Sequence, residues 1–239
     1  MTYGMDREGF VITAALIPAR GGSVRVPNKN LQKIGGLTMV ERKVRQLQMA
    51  DLVDKIYVGS DSPEILAVAE KAGAIAIHRD PLACDESVSP ANVMIGDFSS
   101  RIEADVAVWA HCTNPFIYGH HYDGALRRFF EARGEGHDSL LSVFRVQSHM
   151  WSKFGFPVNY NPYAKRHALS KELEPVFFQD GAIFIQPLSG FRSNSYFFGN
   201  KPVLHEIDFP YCFDVNTPQE LDFAQLISAS VDATEGFVV

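Results

Sequence analysis

The chain has 239 residues, of which 46% are hydrophobic and 21% are charged, and its formal net charge at pH 7 is -6. This composition is typical of a globular domain with a substantial core, and the acidic balance argues against a general binder of nucleic acid or of anionic membranes. No apolar run approaches the roughly 20 residues that span a bilayer, and the first ten residues lack the apolar core of a secretory signal. Three widely spaced cysteines are typical of reduced thiols, so we expect a cytoplasmic protein.

Short apolar runs alternate with helical patterns over the first 133 residues. Strands are predicted at 11–17, 55–60, 74–78 and 105–110, and helices at 38–49, 62–73, 92–103 and 121–133. This βαβ alternation predicts an α/β, Rossmann-like three-layer fold, in which helices cover both faces of a mainly parallel central sheet.

The alternation ends after about residue 139. Strand patterns recur at "SLLSVFRV" and "GAIFIQP", but residues 150–179 between them have no clean period. A connection of this length is usually functional or involved in association. The chain closes with a predicted helix that has Thr217 as N-cap, Pro218 at N1 and Glu220 at N3. We predict a single domain over residues 1–239, in which 145–180 form a substrate-site or dimerisation segment.

A basic, glycine-containing turn, "ARGGSVRVPNKN", follows the first predicted strand. In α/β sheets, ligands collect at the carboxyl ends of the strands, which is where this turn begins. Gly21 and Gly22 allow backbone N–H groups to approach an anion, while Arg20, Arg25 and Lys29 supply positive charge. The turn contains neither the P-loop motif nor the dinucleotide-binding motif, which disfavours a P-loop enzyme or a dehydrogenase. The alternative is a solvated basic loop with no ligand.

Four stretches resemble the sugar cytidylyltransferases, especially the acylneuraminate (CMP-sialic acid) cytidylyltransferases. They are "IPARGGSVRVPNKN", "VGSDSPEILAVAEKAGA", "HRDPLACDESVS" and "FDVNTPQELDFAQ", and the first and last are the specific ones. The resemblance implies a nucleotidyltransferase fold, CTP as donor, Mg²⁺ as cofactor, a small acidic sugar as acceptor and a homodimer. In the reaction that it implies, an acceptor oxygen attacks the α-phosphorus and pyrophosphate leaves, so the protein acts by positioning and charge neutralisation.

The same resemblance assigns roles to individual residues. The implied catalytic residues are Arg20, Arg25 and Asp214. The implied nucleotide-binding residues are Arg20, Gly21, Gly22, Ser23, Lys29, Asn30, Arg79, Ser89 and His111. The implied metal ligands are Asp214 and Asn216, and the alternative for Asp214 is a turn aspartate that caps the last helix.

The sequence also departs from the family pattern. Val24 replaces a lysine, and the following Arg25 restores the charge. Asn216 replaces the second carboxylate of the closing D-x-D motif. In "WAHCTNP", His111 stands where the family has a glutamine.

The acceptor-binding residues that the resemblance implies are Lys153, Lys171, Gln179 and Asp180, and the alternative for Lys153 is a solvated surface lysine. Asp180 replaces a neutral amide of the family, and a carboxylate there would repel a carboxylated sugar unless a cation intervenes. N-acetylneuraminate itself is therefore expected to be a poor substrate.

Two alternatives stay open. The first is a nucleotidyltransferase of the same fold that acts on another acceptor, such as a phosphonate or a sugar phosphate, or uses another nucleoside triphosphate. The second belongs to a different class: a non-catalytic nucleotide- or sugar-binding protein, motivated by Val24 and Asn216.

Overall fold

A computed structural model describes residues 11–85 and 87–238. The interpretation of the first ten residues therefore lies outside the described part of the chain. A seven-stranded sheet forms the centre, with the strand order β5-β4-β1-β6-β8-β7-β9, and a two-stranded hairpin, β2-β3, lies outside it. The strands are β1 (Thr13–Pro18), β2 (Lys33–Ile34), β3 (Leu37–Thr38), β4 (Lys55–Ser60), β5 (Ile75–His78), β6 (Val106–Ala110), β7 (Ser139–Val146), β8 (Val176–Pro187) and β9 (Pro202–Glu206).

Four strands form the parallel half of the sheet. β1 pairs in parallel with both β4 and β6, and β4 pairs in parallel with β5. In the other half, β8 runs antiparallel to β6 and β7, while β9 pairs in parallel with β7. The predicted Rossmann-like α/β fold with a mostly parallel sheet is confirmed.

Seven α-helices accompany the strands in the described residues. They are α1 (Met39–Gln48), α2 (Pro63–Lys71), α3 (Pro81–Cys84), α4 (Ala91–Ser100), α5 (Gly119–Gly134), α6 (Leu188–Asn194) and α7 (Pro218–Glu235). Helix α7 starts as its sequence predicts: the Thr217 hydroxyl accepts from the Glu220 N–H at 3.3 Å, and the Glu220 carboxylate accepts from the Thr217 N–H at 2.8 Å. This reciprocal pair satisfies N–H groups that would otherwise lack partners at the helix start.

Hydrophobic side chains pack on both faces of the sheet. Because side chains alternate along a strand, Ala15 and Ile17 of β1 belong to one buried cluster, while Ala14 and Leu16 belong to another. Trp109 of β6 lies in the second cluster and is fully buried. The sheet is therefore covered on both faces, as a parallel sheet requires.

Helices α1 and α7 are joined by a buried ion pair. Arg42 donates to both carboxylate oxygens of Asp232, to the Tyr118 hydroxyl at 3.0 Å and, through Nε, to the Pro115 carbonyl at 2.7 Å. Its guanidinium carbon also lies 4.9 Å from the centre of the Phe237 ring. The pair fixes the end of the chain against the β6–α5 connection.

The segment predicted to lack a regular period is largely irregular, but it is internally bonded. The Asn159 side chain accepts from the Met150 N–H at 3.0 Å and donates to the carbonyls of Ser148 and Glu174. The segment ends at Val176, where β8 begins earlier than the sequence pattern predicts. None of the described helices has the length and apolar character needed to span a membrane.

Candidate active site

A cleft of about 380 Å³ opens at the carboxyl ends of β1 and β6. Its lining includes the basic turn after β1, the start of the connection after β6, and the segment before α7. The lining residues are Pro18, Arg20, Ser23, Val24, Arg25, Lys29, Asn30, Arg79, Cys84, Met94, His111, Cys112, Thr113, Gly181, Asp214 and Asn216. A ligand site is expected at this edge of a parallel sheet.

The turn after β1 is held from its inner side. The buried Asn30 side chain donates to the Arg20 carbonyl at 2.9 Å. Asn28 adopts the left-handed conformation, with φ 50°, just before a single 3₁₀ turn at Lys29–Leu31. Together these contacts close the turn back on itself, and Arg20, Arg25 and Lys29 all line the cleft.

The two glycines of the turn lie away from the cleft lining in the described structure. The Gly21 N–H donates to the Asp61 carboxylate at 2.8 Å, and a Cβ on Gly21 would lie 3.0 Å from the Ser62 Cβ. Gly21 thus anchors the turn to the β4–α2 connection, and its N–H is already used. Gly22 is exposed, and a Cβ added there would meet no atom of the described residues within 4 Å.

Two cations of the turn reach across to the segment before α7. Lys29 Nζ donates to the Val215 carbonyl at 3.0 Å. Arg25 Nη2 donates to Asn216 Oδ1 at 3.0 Å, and Asn216 Nδ2 donates in turn to Asp214 Oδ2. The carbonyl oxygen of Asn216 is therefore engaged by Arg25, while its amide orients Asp214.

Asp214 keeps one carboxylate oxygen without a partner. Its Oδ1 is buried and has no hydrogen-bond donor among the described residues. The Asn216 N–H donates to the Glu220 carboxylate at 2.7 Å, so the capping group of α7 also fixes the position of this segment. The local sequence "DVNTPQE" thus presents one oriented carboxylate to the cleft.

Arg79 lines the cleft but is almost fully buried. Its Nε donates to Asp97 at 3.0 Å, its Nη2 donates to the carbonyls of Ala83 and Met94, and its guanidinium lies over the Phe98 ring. These contacts account for its structural role in joining β5 to α4. Ser89, which was predicted to bind the nucleotide together with Arg79, lies outside the cleft lining. Its N–H donates to the Asp85 carbonyl at 2.8 Å.

Both ring nitrogens of His111 have partners. The Trp109 indole N–H, which can only donate, contacts Nε2 at 3.0 Å, so Nε2 is an acceptor and Nδ1 carries the proton. Nδ1 then donates to the Gly181 carbonyl at 2.7 Å. Burial lowers the pKa of His111 below its ordinary value, which favours this neutral form. His111 therefore lines the cleft with its ring nitrogens engaged, joining the end of β6 to β8.

The four predicted acceptor-binding residues do not line this cleft in the described structure. Lys153 lies over the Phe154 ring at 4.9 Å, and Lys171 and Gln179 are exposed elsewhere on the segment before and within β8. Asp180 is 4% exposed, and its neighbour Gly181 reaches the cleft instead. Burial raises the pKa of Asp180, hydrogen bonds from Ser142 and the Ala182 N–H oppose this rise, and the nearby Asp214 charge adds to it.

The sequence interpretation missed several lining residues. Thr113 lies three residues after the end of β6, and its carbonyl accepts from the Val215 N–H at 2.8 Å, which joins two segments of the cleft lining. The position of "CTNP" at the end of a central strand was the available signal. Cys112 also lines the cleft, but burial raises the pKa of its thiol to about 12, which disfavours a reactive thiolate. Among the described residues, no group of three or more His, Cys, Asp or Glu side chains is arranged for a metal.

Known proteins that are similar to this chain include three relatives with related names. N-acylneuraminate cytidylyltransferase B of Danio rerio is 32% identical over 149 residues, which are 62% of this chain and 34% of that protein. The 3-deoxy-manno-octulosonate cytidylyltransferase of Chlorobium luteolum is 37% identical over 117 residues, 49% of this chain and 45% of that protein. N-acylneuraminate cytidylyltransferase of Streptococcus agalactiae is 25% identical over 221 residues, 89% of this chain and 52% of that protein. The chain thus spans between a third and about half of these relatives.

Solved structures that share the fold include two nucleotidyltransferases. CMP:2-keto-3-deoxy-manno-octonic acid synthetase complexed with CTP has a TM-score of 0.66 at 17% identity, covering 92% of this chain and 99% of that chain. 4-diphosphocytidyl-2C-methyl-D-erythritol synthase of Anaerococcus prevotii has a TM-score of 0.63 at 9% identity, covering 90% and 95%. The cytidylyltransferase family model matches residues 14–226. With this match over most of its length, and with the basic turn and the closing Asp214 segment lining one cleft, the chain belongs to the cytidylyltransferase family.

Proposed function

We propose that this protein transfers CMP from CTP to a nonulosonic, sialic-like acid. An acceptor oxygen forms a bond to the α-phosphorus, the bond from that phosphorus to the bridging oxygen breaks, and pyrophosphate leaves. One observation carries the proposal: Arg20, Arg25 and Lys29 line the same cleft as Asp214, and Arg25 and Lys29 bond to the segment that carries Asp214. The names of the relatives support CTP as donor and a sugar acid as acceptor.

The residues of this cleft suit the chemistry by charge and position. Arginine side chains match phosphate oxygens in a bidentate manner, and lysine adds a compact charge. In the proposed reaction, Arg20, Arg25 and Lys29 hold the triphosphate and offset the negative charge that develops on the leaving pyrophosphate. Arg25 contacts both the cleft and Asn216, so it links phosphate binding to the position of Asp214.

The site also fits the Mg²⁺ that the family implies. Mg²⁺ usually takes one or two protein carboxylates, substrate phosphates and waters, and the Oδ1 of Asp214 is an oxygen of this kind. Asp214 would hold the Mg²⁺, which would supply positive charge that neutralises the triphosphate. Asn216 supports this site by holding Asp214 through its amide, since its own carbonyl oxygen accepts from Arg25.

Two further parts of the proposal concern assembly and location. The exposed aromatic side chains of residues 151–178 support a homodimer, because a monomer rarely leaves so many large apolar groups in solvent. The three cysteines are unpaired, which supports a reducing compartment such as the cytoplasm.

A pyrophosphate-release assay with four nucleoside triphosphates tests the proposal. The acceptor panel comprises sialic, legionaminic, pseudaminic and Kdo-type acids, together with sugar phosphates and phosphonates. We expect magnesium-dependent release with CTP and a sugar acid. Release with another nucleotide or another acceptor class would favour the alternative enzyme of the same fold, and nucleotide binding without release under any condition would favour a non-catalytic binder.

Arg20→Ala tests the basic turn within the same assay. We expect about a 100-fold or larger loss of turnover with an unchanged melting temperature, because one donor to developing charge is removed. Arg127→Ala, which removes an exposed arginine of α5, is the matched control and should retain wild-type turnover. Turnover of Arg20→Ala close to that of the control would contradict the assigned role.

A further inference from the structure

Three buried oxygen atoms without hydrogen-bond partners occur on connected segments beside the cleft. They are Asn114 Oδ1, Asp180 Oδ2 and Asp214 Oδ1, three of the five such side-chain atoms in the described residues. Asn114 Nδ2 donates to the Asp180 carbonyl at 3.2 Å and to the Phe213 carbonyl at 3.4 Å, so it joins the three segments directly.

All three atoms are acceptors, and two belong to carboxylates. A buried acceptor without a partner costs free energy, and a buried carboxylate costs more unless a cation or several donors compensate it. The nearby lysines donate to backbone carbonyls: Lys43 Nζ to that of Asn114 at 2.8 Å, and Lys29 Nζ to that of Val215. The three oxygens therefore require something besides the protein donors seen here, either ordered water or a cation.

Asp180 is held in a way that leaves one oxygen available. Its Oδ1 accepts from the Ser142 hydroxyl and from the Ala182 N–H at 2.9 Å, while Oδ2 has no donor in the described chain. The residue is buried by its strand and neighbours, which restricts rotation of the side chain. A buried carboxylate with a fixed orientation and one oxygen without a donor is suited to bind a cation, unlike a solvated carboxylate on the surface.

We propose that Asp180 is the second carboxylate of a divalent-cation site that it shares with Asp214, with Asn114 Oδ1 as a neutral oxygen ligand. A hard cation such as Mg²⁺ or Mn²⁺ binds oxygen ligands of this kind. Asp180 thereby supplies the negative charge that Asn216 does not. Because Asn216 Oδ1 accepts from Arg25, the closing motif alone offers one carboxylate, and β8 contributes the other.

Binding of Mn²⁺ alone tests this assignment. Electron paramagnetic resonance would follow free Mn²⁺ during titration of the full chain without nucleotide, for wild type, Asp180→Asn and Asp214→Asn. We expect the wild type to bind Mn²⁺ and each variant to bind at least about tenfold more weakly. Asp180→Asn retains an oxygen to accept from Ser142 and Ala182, so it should fold, and melting temperature without metal checks this.

The control is Asp208→Asn, which removes an exposed carboxylate of the same loop that carries Asp214. It should bind Mn²⁺ like the wild type. Wild-type affinity in Asp180→Asn, together with a loss in Asp214→Asn, would remove Asp180 from the site. Absence of Mn²⁺ binding by the wild type would mean that ordered water satisfies the three oxygens, and the proposal would fail.

This inference rests on the metal part of the proposed function and extends it, but its test is separate from turnover. Mn²⁺ binding that depends on Asp180, without pyrophosphate release from any nucleotide, would support the cation site and contradict the proposed activity. Turnover of the wild type with CTP, together with unaltered Mn²⁺ affinity in Asp180→Asn, would support the proposed activity and contradict the role of Asp180 in the cation site.

Discussion

Gly59 leaves room in β4 for two large side chains, Arg79, which lines the cleft, and Phe98. A Cβ at this position would lie 2.5 Å from the Arg79 Cδ and 2.8 Å from the Phe98 ring. Both neighbours are fully buried, and Arg79 is fixed by its ion pair with Asp97. The absence of a side chain at Gly59 is therefore a condition for the observed position of Arg79.

We predict that Gly59→Ala lowers the free energy of unfolding by about 1–3 kcal/mol, because the added methyl group overpacks a site that cannot relax freely. Urea denaturation measures this change. Gly22→Ala is the control, since a Cβ there meets no described atom within 4 Å, and it should stay within about 0.5 kcal/mol of wild type. Equal stability of the two variants would mean that Arg79 and Phe98 shift without cost.

At the scale of single residues, the sequence revealed which residue types form the site but not which residues hold them in place. The arginines and the lysine that follow the first predicted strand indicated a phosphate site at this edge of the sheet, whereas the metal role of Asp214 was implied only by the family resemblance. The hydrogen bonds that hold the site together were not predictable, because their partners are far apart in the chain. Asp61 accepts from the Gly21 N–H across 40 positions, and Asn114 donates to the Asp180 carbonyl across 66. Only the fold brings such residues together.

Among the secondary-structure elements, those with strong local signals were predicted best. β4 and β7 have the predicted bounds, and α7 begins at its predicted cap. Helix α6 and strand β9 were missed: α6 has only seven residues, and β9 is an edge strand that pairs with β7 alone. The start of β8 was also missed. Residues 177–179 are all exposed, so they lack the alternation of buried and exposed side chains that predicts a strand, and they form a strand by pairing with β7.

The first turn of helix α5 contains a partly buried histidine, His121, whose protonation couples stability to pH. His121 Nδ1 accepts from the Tyr118 N–H at 3.2 Å, which caps the helix. Burial, together with the neighbouring charge of His120, lowers the pKa of His121 to about 3. An unfolded histidine titrates near pH 6.5, so between these two values the unfolded chain binds more protons than the folded chain. The contribution of His121 to stability is therefore present above about pH 6.5 and is lost as the pH falls toward 3.

We predict that the free energy of unfolding decreases between pH 7.5 and 4.5, and that His121→Gln makes this decrease smaller. Glutamine retains an acceptor at the third helical position but does not titrate. Denaturant unfolding at several pH values measures the slope. His78→Gln changes a histidine that is exposed in the folded chain, and it should keep the wild-type slope. An unchanged slope in His121→Gln would show that protonation of this ring is not coupled to unfolding.

The assembled protein presents an unusual surface on the long connection between β7 and β8. Trp151, Phe154, Phe156 and Tyr163 of this connection, and Phe178 near the start of β8, are between 52% and 89% exposed. The connection is nevertheless held together by the Asn159 hydrogen bonds and by ring contacts of His149 with Tyr160 and His167. A folded segment that leaves its large aromatic side chains in solvent has the character of an interface.

We predict that this surface joins two copies of the chain. Sedimentation equilibrium should give a dimer for the wild type, and the double change Phe154→Ser with Phe156→Ser should shift the population to monomer, because exposed apolar area at an interface drives association. Leu226→Ser, which removes a side chain of α7 that is 80% exposed, is the control and should remain dimeric. Melting temperatures at low protein concentration separate loss of association from loss of folding. A wild type that sediments as a monomer, or a double variant that stays dimeric, would place any contact between copies elsewhere.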